Sequence, residues 1–281
     1  MFKNNPVLTA IMQLIIITDM DGCFLDHDTY NYEDSVEAFN KAVKQGAIIS
    51  FCTSKNLDEI EAYNKKLGVN FPFIAENGSV IYIPKDFFGF EFEFQKETED
   101  YKIIELNVKH DETIKMLHKI RKELSFEFII FSEMTPEEIN EDCGLSIEAA
   151  KLAKNKQYAD VVKIVDETPE KVEQFRQAVE KENFSSARGI RYHTITKGSN
   201  KGKAAKVLLD LYKRKYNKIV SIGLGDSPND VSMLKEVDSP YLVAKPDGSH
   251  TDTGNLTVEK VGGIGPKGWS KAVNELLDNS Q

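Results

Sequence analysis

Leu14-Ile15-Ile16-Ile17-Thr18-Asp19-Met20-Asp21-Gly22 is the stretch that decides the fold. Four aliphatic residues in a row suit a strand buried on both faces, as in a parallel sheet covered by helices. The chain then passes directly into two carboxylates and a glycine. Side chains alternate along an extended backbone, so residues 19 and 21 point to the same side where the strand ends. Open α/β sheets hold their ligands at the carboxyl ends of their strands. Two acids delivered there form a candidate nucleophile and acid/base pair.

The segments on either side extend this pattern. Apolar residues at 36, 39 and 43 give residues 34–45 a helical period, closed by Gly46. Residues 47–52 read as a second buried strand, and 56–67 as a helix with Leu57, Ile60, Tyr63 and Leu67 on one face. A third strand over 73–75 and a hairpin arm over 80–83 flank the turn Glu76-Asn77-Gly78-Ser79. After Gly198 the rhythm resumes, with helices over 202–215 and 228–236, a buried strand over 218–223 and a last strand over 241–244. Alternating strands and helices predict an α/β fold, a Rossmann-like doubly wound parallel sheet.

Between these halves the strands become half-polar. Phe88, Phe90, Phe92 and Phe94 lie two apart with Glu91 and Glu93 between them. Further strands are expected over 101–106, 126–131, 161–165 and 192–196, with helices over 111–124, 135–142, 147–155 and 169–182. Half-polar strands covered on one face suggest an α+β domain. The expected organisation is a core of residues 1–84 and 190–281 around an inserted α+β cap of residues 85–189, with the phenylalanines of 88–94 in the cap's own core.

Composition narrows the partners. The 281 residues, 41% apolar and 29% charged, fit a soluble protein of one large or two modest domains. A formal net charge of −9 disfavours nucleic acid and anionic membrane, which select basic faces. A phosphorylated ligand would need positive charge supplied locally, by a metal or a few lysines. Cys23, Cys52 and Cys143 offer neither a disulfide framework nor zinc spacing, which fits a reducing cytoplasm. The apolar segment 7–17 lacks a cleavage site and is too short to span a bilayer, so it reads as a leader plus the first strand, with Met12 an alternative start.

Three further signals join the first. Gly223-Leu224-Gly225-Asp226-Ser227-Pro228-Asn229-Asp230 follows a buried strand, and Ser227, Pro228 and Asp230 make a helix start. Asp226 is not needed for that start. Placed at the same sheet edge as Asp19 and Asp21, it makes three carboxylates that repel unless a cation binds them, and hard oxygen ligands select Mg²⁺. In Phe51-Cys52-Thr53-Ser54-Lys55 a hydroxyl at a strand end, with a helix N-terminus behind it, suits phosphate oxygens. Ser199-Asn200-Lys201-Gly202-Lys203 puts a lysine before a small-residue helix start.

In this order and on these elements, the four signals resemble the motif set of the haloacid dehalogenase superfamily. The resemblance implies that superfamily's core fold with its larger α+β cap. It implies Asp19 as nucleophile, Asp21 as general acid/base, Thr53 as phosphate-binding hydroxyl and Lys201 as the catalytic lysine. It places the metal on Asp19, Asp21 and Asp226, supported by Asp230, Gly22 and Gly225. The second acid favours phosphate over halide chemistry, because a halide leaves without a proton. Phosphate monoester hydrolysis needs up to about 10²¹-fold acceleration, and an aspartyl-phosphate divides it into two easier displacements.

Finer similarities lie in Phe73-Ile74-Ala75-Glu76-Asn77-Gly78-Ser79, Met134-Thr135-Pro136-Glu137-Glu138-Ile139 with Gly144-Leu145, Lys201-Gly202-Lys203-Ala204-Ala205, and Gly265-Pro266-Lys267-Gly268-Trp269. These resemble the mannosyl-3-phosphoglycerate phosphatases. The implied activity is Mg²⁺-dependent release of phosphate from a glycosyl-3-phosphoglycerate, by a cytoplasmic monomer or homodimer. Ser54, Lys55, Asn77, Gly78, Arg191 and Asn229 join Thr53 and Lys201 as implied substrate contacts. Two departures bear on the sugar. The cap reads Lys156-Gln157-Tyr158-Ala159-Asp160 where that group has Arg-Glu-aromatic-small or acidic-Glu, and Asn200 stands where an Asp usually precedes the lysine. A glucosyl analogue, sucrose phosphate, or a phosphomutase using the same aspartyl-phosphate stays open.

Other features are set aside. Gly263-Ile264-Gly265-Pro266-Lys267-Gly268 fits G-x-G-x-x-G, but only a short helix is expected after it, so no βαβ unit forms. The five histidines show no ligand spacing; His118 is expected on an exposed helix face, and His193 is a candidate substrate contact. Trp269 is expected in packing.

Overall fold

In the computed structural model, which describes residues 12–189 and 191–279, the aliphatic run becomes strand β1 (Gln13–Thr18). Most of the expected leader, residues 7–11, lies outside the described residues. Successive side chains of β1 enter two separate cores. Ile16 packs with Phe39 and Trp269, while Ile15 and Ile17 pack with Leu208 and Tyr212 on the opposite face. That division is why all four positions are aliphatic. Helix α1 (Glu33–Lys44) leads to β2 (Ile48–Phe51), parallel to β1. Helix α2 (Leu57–Leu67) starts with a capping box between Asn56 and Glu59 and ends at Gly68 in the left-handed region.

A small antiparallel sheet follows, in the order β3-β4-β6-β5: β3 (Phe73–Ala75), β4 (Val80–Pro84), β5 (Lys96–Glu97) and β6 (Tyr101–Glu105). A bridge between Cys52 and Ile74 joins it to the end of β2. The insertion proper then begins with α3 (His110–Glu123), β7 (Phe128–Ile130), α4 (Pro136–Cys143) and α5 (Ile147–Ala153). It continues through β8 (Asp160–Ile164), α6 (Pro169–Lys181), β9 (Ser185–Arg188) and β10 (His193–Thr196). Its antiparallel sheet runs β7-β8-β10-β9. Leu117, Ile120, Phe175 and Val179 of α3 and α6 cover one face against Val162, Ile164 and Ile195.

The chain re-enters the core through α7 (Lys201–Tyr216), β11 (Ile219–Gly225), α8 (Val231–Leu234), β12 (Ser239–Ala244), β13 (Glu259–Ile264) and α9 (Gly265–Asn279). The parallel sheet has the order β13-β12-β11-β1-β2. From β1 the chain moves outward to β2, and it later returns on the other side as β11. The crevice above their carboxyl ends is therefore the switch point where such sheets bind ligands. No described helix is long and apolar enough to cross a membrane.

Several sequence expectations are corrected. The phenylalanines of 88–94 form no strand and do not belong to the cap core. Phe88 packs in the core cluster with Ile15 and Ile17, its ring 5.4 Å from that of Tyr212. The expected boundaries at 84/85 and 189/190 both cut through sheets. β5 and β6 pair back onto β4, and β10 pairs with β8 and β9. The insertion thus lies between Glu105, the end of β6, and Thr196, the end of β10. β12 is not the last strand: β13 and the 15-residue α9 follow it. The G-x-G-x-x-G run sits at that strand–helix junction.

Candidate active site

Asp19 and Asp226 stand just beyond the carboxyl ends of β1 and β11, neighbouring strands whose register pairs Thr18 with Leu224. Asp226 is fully buried and Asp19 nearly so. Asp230 joins them from the turn at 228–230, and the three acids offer carboxylate oxygens that all lie within 4.8 Å of one another. Gly225 permits this, since a Cβ there would sit 2.5 Å from that of Asp230. One oxygen of Asp230 accepts the backbone amides of Asp226 (3.1 Å) and Ser227 (3.0 Å). Its other oxygen accepts Lys201 Nζ at 2.6 Å, and the same ammonium donates to Asp19 Oδ1 at 2.6 Å.

Electrostatics inside this cluster are unbalanced. Burial, then the charge of Asp230, push Asp19 up to about 7 despite the opposing pull of Lys201. Asp226 is pushed well above its ordinary value by burial and by the charges of Asp230 and Asp19. Burial would lower Lys201, but Asp19 and Asp230 reverse that and keep it charged. Both oxygens of Asp226 are buried without a hydrogen-bond partner. Three carboxylates, one ammonium and two orphaned oxygens are the donor set and charge deficit that a hard divalent cation satisfies. The residues fit such an ion.

The Asp21 side chain, expected with Asp19 and Asp226, is not part of this triad. It is 28% exposed and forms an ion pair with the Lys55 ammonium at 2.9 Å. Burial lowers Lys55, and the carboxylates of Asp21 and Glu59 more than reverse it. A cleft opens over the sheet edge, lined by Asp19, Asp21 and Lys201 below, Ser54 and Lys55 beside them, and Lys156, Arg191 and Tyr192 from the insertion. Thr53 is wholly buried at this edge, its hydroxyl accepting the Lys55 amide at 3.3 Å, and Ser54 and Lys55 form the wall. Trp269 is buried packing, as expected; its indole donates to the Thr18 hydroxyl, next to Asp19, at 2.9 Å.

Residues 16–247 match the family of haloacid dehalogenase-like hydrolases. The chain belongs to that family. This haloacid dehalogenase-like hydrolase is 37% identical over 267 residues to the glucosyl-3-phosphoglycerate/mannosyl-3-phosphoglycerate phosphatase of Methanococcoides burtonii, spanning 95% of this chain and 98% of that protein. It is 35% identical over 243 residues to the mannosyl-3-phosphoglycerate phosphatase of Pyrococcus furiosus, spanning 86% and 95%. A solved haloacid dehalogenase-like hydrolase from B. subtilis shares the fold with a TM-score of 0.66 at 16% identity, over 94% of this chain and all (100%) of that one.

In this hydrolase several expected substrate contacts have other partners. Gly78, at φ +87, does not line the cleft: a Cβ there would meet the Asn200 carbonyl oxygen at 2.2 Å, so its role is to let that turn deliver Lys201. Asn77 lies in an adjoining hollow, donating to Thr194 (2.8 Å) on β10 and accepting from Asn229 (2.9 Å). That chain of amides ties the core to the insertion. Arg191 does reach the cleft and pairs with Asp28 at 2.8 Å. His193 does not; it is buried against Glu167 at 2.9 Å. His118 lies on the helix surface, paired with Glu133.

Sequence reasoning missed His27 and Tyr30, which line the cleft from the loop after β1. It also treated Glu76 only as part of a turn. Its carboxylate is buried and accepts three consecutive amides of the insertion, from Gln157, Tyr158 and Ala159, at 2.9–3.0 Å. An acid in a tight turn carries no local sign of such a partner 81 residues away.

Proposed function

We propose that this hydrolase is a Mg²⁺-dependent phosphatase that releases phosphate from glycosyl-3-phosphoglycerates through an aspartyl-phosphate on Asp19. The observation carrying the reading is the buried Asp19–Lys201–Asp230–Asp226 cluster beneath a cleft walled by cations. The likeness to relatives named for this activity, over nearly the whole chain, supports the substrate class. The Methanococcoides burtonii relative is named for both sugars, so we extend the proposal to the glucosyl and mannosyl compounds alike. Three buried thiols suit work in a reducing cytoplasm.

Lys201 fixes the Asp19 carboxylate by holding Oδ1, which presents the second oxygen to phosphorus in line with the departing sugar-acid oxygen. The same ammonium offsets charge that grows on the phosphoryl oxygens. Asp19 and Asp226, with Asp230 beside them, would hold Mg²⁺, which would supply further positive charge at those oxygens. Asp21, two residues beyond the nucleophile, enters the first displacement in its protonated form, its pairing with Lys55 given up, and passes that proton to the leaving alkoxide. It then takes a proton from the water that attacks the aspartyl-phosphate and regenerates Asp19. Thr53 and Ser54, at the end of β2, are proposed to hold phosphoryl oxygens.

The test is a panel of mannosyl- and glucosyl-3-phosphoglycerate beside simple sugar phosphates, read as inorganic phosphate released with Mg²⁺. Selective release from the glycosyl-3-phosphoglycerates is expected. Isomerised sugar phosphate without phosphate release would instead establish a mutase, and unaltered turnover in Asp19→Asn would overturn the covalent route.

A further inference from the structure

Four lysine and arginine side chains line the cleft: Lys55, Lys156, Arg191 and Lys201. Three of them already face carboxylates, Lys55 that of Asp21, Arg191 that of Asp28, and Lys201 those of Asp19 and Asp230. Among the described residues, Lys156 makes no ion pair within 4.0 Å, although its charge is felt by the buried Glu76 carboxylate, which it pulls down. Its ammonium donates to the Ser54 carbonyl oxygen at 3.0 Å and lies 5.9 Å from the centre of the Phe131 ring. Its direct contact in the cleft is a neutral carbonyl, while Glu76 is engaged by three amides, so the ammonium can take an anion of a ligand. It is also next to the right place. Ser54 follows Thr53, so the ammonium sits one residue from the proposed phosphate hydroxyl.

The position of Lys156 is not left to a free loop. Glu76 clasps the three amides that follow it, those of Gln157 (3.0 Å), Tyr158 (2.9 Å) and Ala159 (3.0 Å). The Glu76 backbone amide in turn bonds the Lys55 carbonyl oxygen at 2.9 Å, and that of Asn77 bonds the Thr53 carbonyl oxygen at 2.8 Å. The segment carrying Lys156 is thereby fastened to the same loop that carries Thr53 and Ser54. A carboxylate accepting three amides is a rigid anchor, because charge-assisted bonds are roughly twice as strong as neutral ones.

A phosphoglycerate bears two anions, the phosphate and a carboxylate two carbons from the ester-bearing oxygen's carbon at most. We propose that Lys156 is the specificity-determining group that binds the carboxylate of the phosphoglycerate moiety, and that Glu76 is the positioning residue that sets it there. This rests on the phosphoglycerate reading above and goes beyond it in naming what reads the acid.

The experiment is equilibrium calorimetry with Mg²⁺ on the full chain carrying Asp19→Asn, which removes turnover from the measurement. The probes are 3-phosphoglycerate and glycerol 3-phosphate, identical except that the second has a hydroxymethyl group for the carboxylate. The parent is expected to prefer 3-phosphoglycerate. Lys156→Gln is expected to reduce that preference about 10- to 100-fold, the range for a hydrogen bond to a charged group. Lys156→Arg should retain most of it, and Glu76→Gln should reduce it with Lys156 intact. A purely structural role for Glu76 would weaken both probes equally and leave their ratio unmoved. No preference in the parent, or the same ratio in Lys156→Gln, overturns the assignment. Phosphate release by the unaltered protein is measured separately, so a failure of the phosphatase reading is distinguishable from a failure of this one.

Discussion

Replacing Asp226 by Asn is expected to stabilise the metal-free protein while abolishing turnover. Both Asp226 oxygens are buried without hydrogen-bond partners, beside Asp19 and Asp230. Burial, then those two charges, hold its pKa well above 3.8. Such a carboxyl leaves stability untouched below its unfolded pKa, where both states are protonated. As the pH rises toward the folded pKa, the unfolded chain gives up its proton first and the fold loses stability. At about 1.4 kcal/mol per pH unit, the ceiling on that loss at pH 7 is about 4 kcal/mol. Asn keeps the shape and removes the titration. Allowing for its own unmet hydrogen bonds, a gain of about 1–3 kcal/mol at pH 7 is expected, with none at pH 4. Calorimetric melting in chelator should read this as roughly 2–4 °C for each kcal/mol. Adding Mg²⁺ should then raise the parent, by about 2.7 kcal/mol at a hundredfold excess over its Kd, and leave the variant nearly unmoved. A variant less stable than the parent at pH 7 in chelator, or one with equal gains at both pH values, would refute the account of Asp226 as a repelled, orphaned charge.

Lys201→Met should behave in the opposite sense, since it leaves Asp19 and Asp230 facing each other in a buried site without their shared cation. A loss of about 3–5 kcal/mol at pH 7 is expected in urea unfolding, and a loss below about 1 kcal/mol would contradict the pairing. Asp21→Asn should lose far more rate on a sugar phosphate than on p-nitrophenyl phosphate, whose leaving group scarcely needs a proton; equal losses would remove Asp21 from the acid role. Gly78→Ala forces a Cβ to within 2.2 Å of the Asn200 carbonyl oxygen, so it should displace Lys201 and lower both kcat and melting temperature. Unchanged kinetics would show that the turn has slack. Because burial and Asp230 hold Asp19 at about 7, Mg²⁺ must displace a proton below that pH, and its affinity should rise between about pH 5 and 7. A flat titration across that window would count against Asp19 as a ligand.

Much of the core was legible because its signals are local. Four aliphatic residues before Asp19 announced a strand buried on both faces, and Asn56, Thr135 and Gly68 marked helix ends through caps that need only neighbouring residues. The phenylalanines of 88–94 misled for the same reason. Their spacing imitates a half-buried strand, but what they cover is Tyr212 and its neighbours on α7, a surface more than a hundred residues away in the chain. The missed strands β5, β9 and β13 are edges of their sheets with largely exposed side chains, so they carry no apolar pattern to read.

By itself the sequence determined the kinds of chemistry available: an acid pair after a buried strand, a second acid-bearing turn, a hydroxyl and a lysine, each at an element's end. Tertiary structure decided which of these groups meet. It put Asp230 rather than Asp21 with Asp19 and Asp226, turned Asp21 toward Lys55, and made Glu76 the anchor of the segment carrying Lys156. Composition and period are properties of neighbours in the chain. The distance between two carboxylates, or between the Lys156 ammonium and the Ser54 carbonyl oxygen, is set by how β1 and β11 pair and how the insertion closes over them.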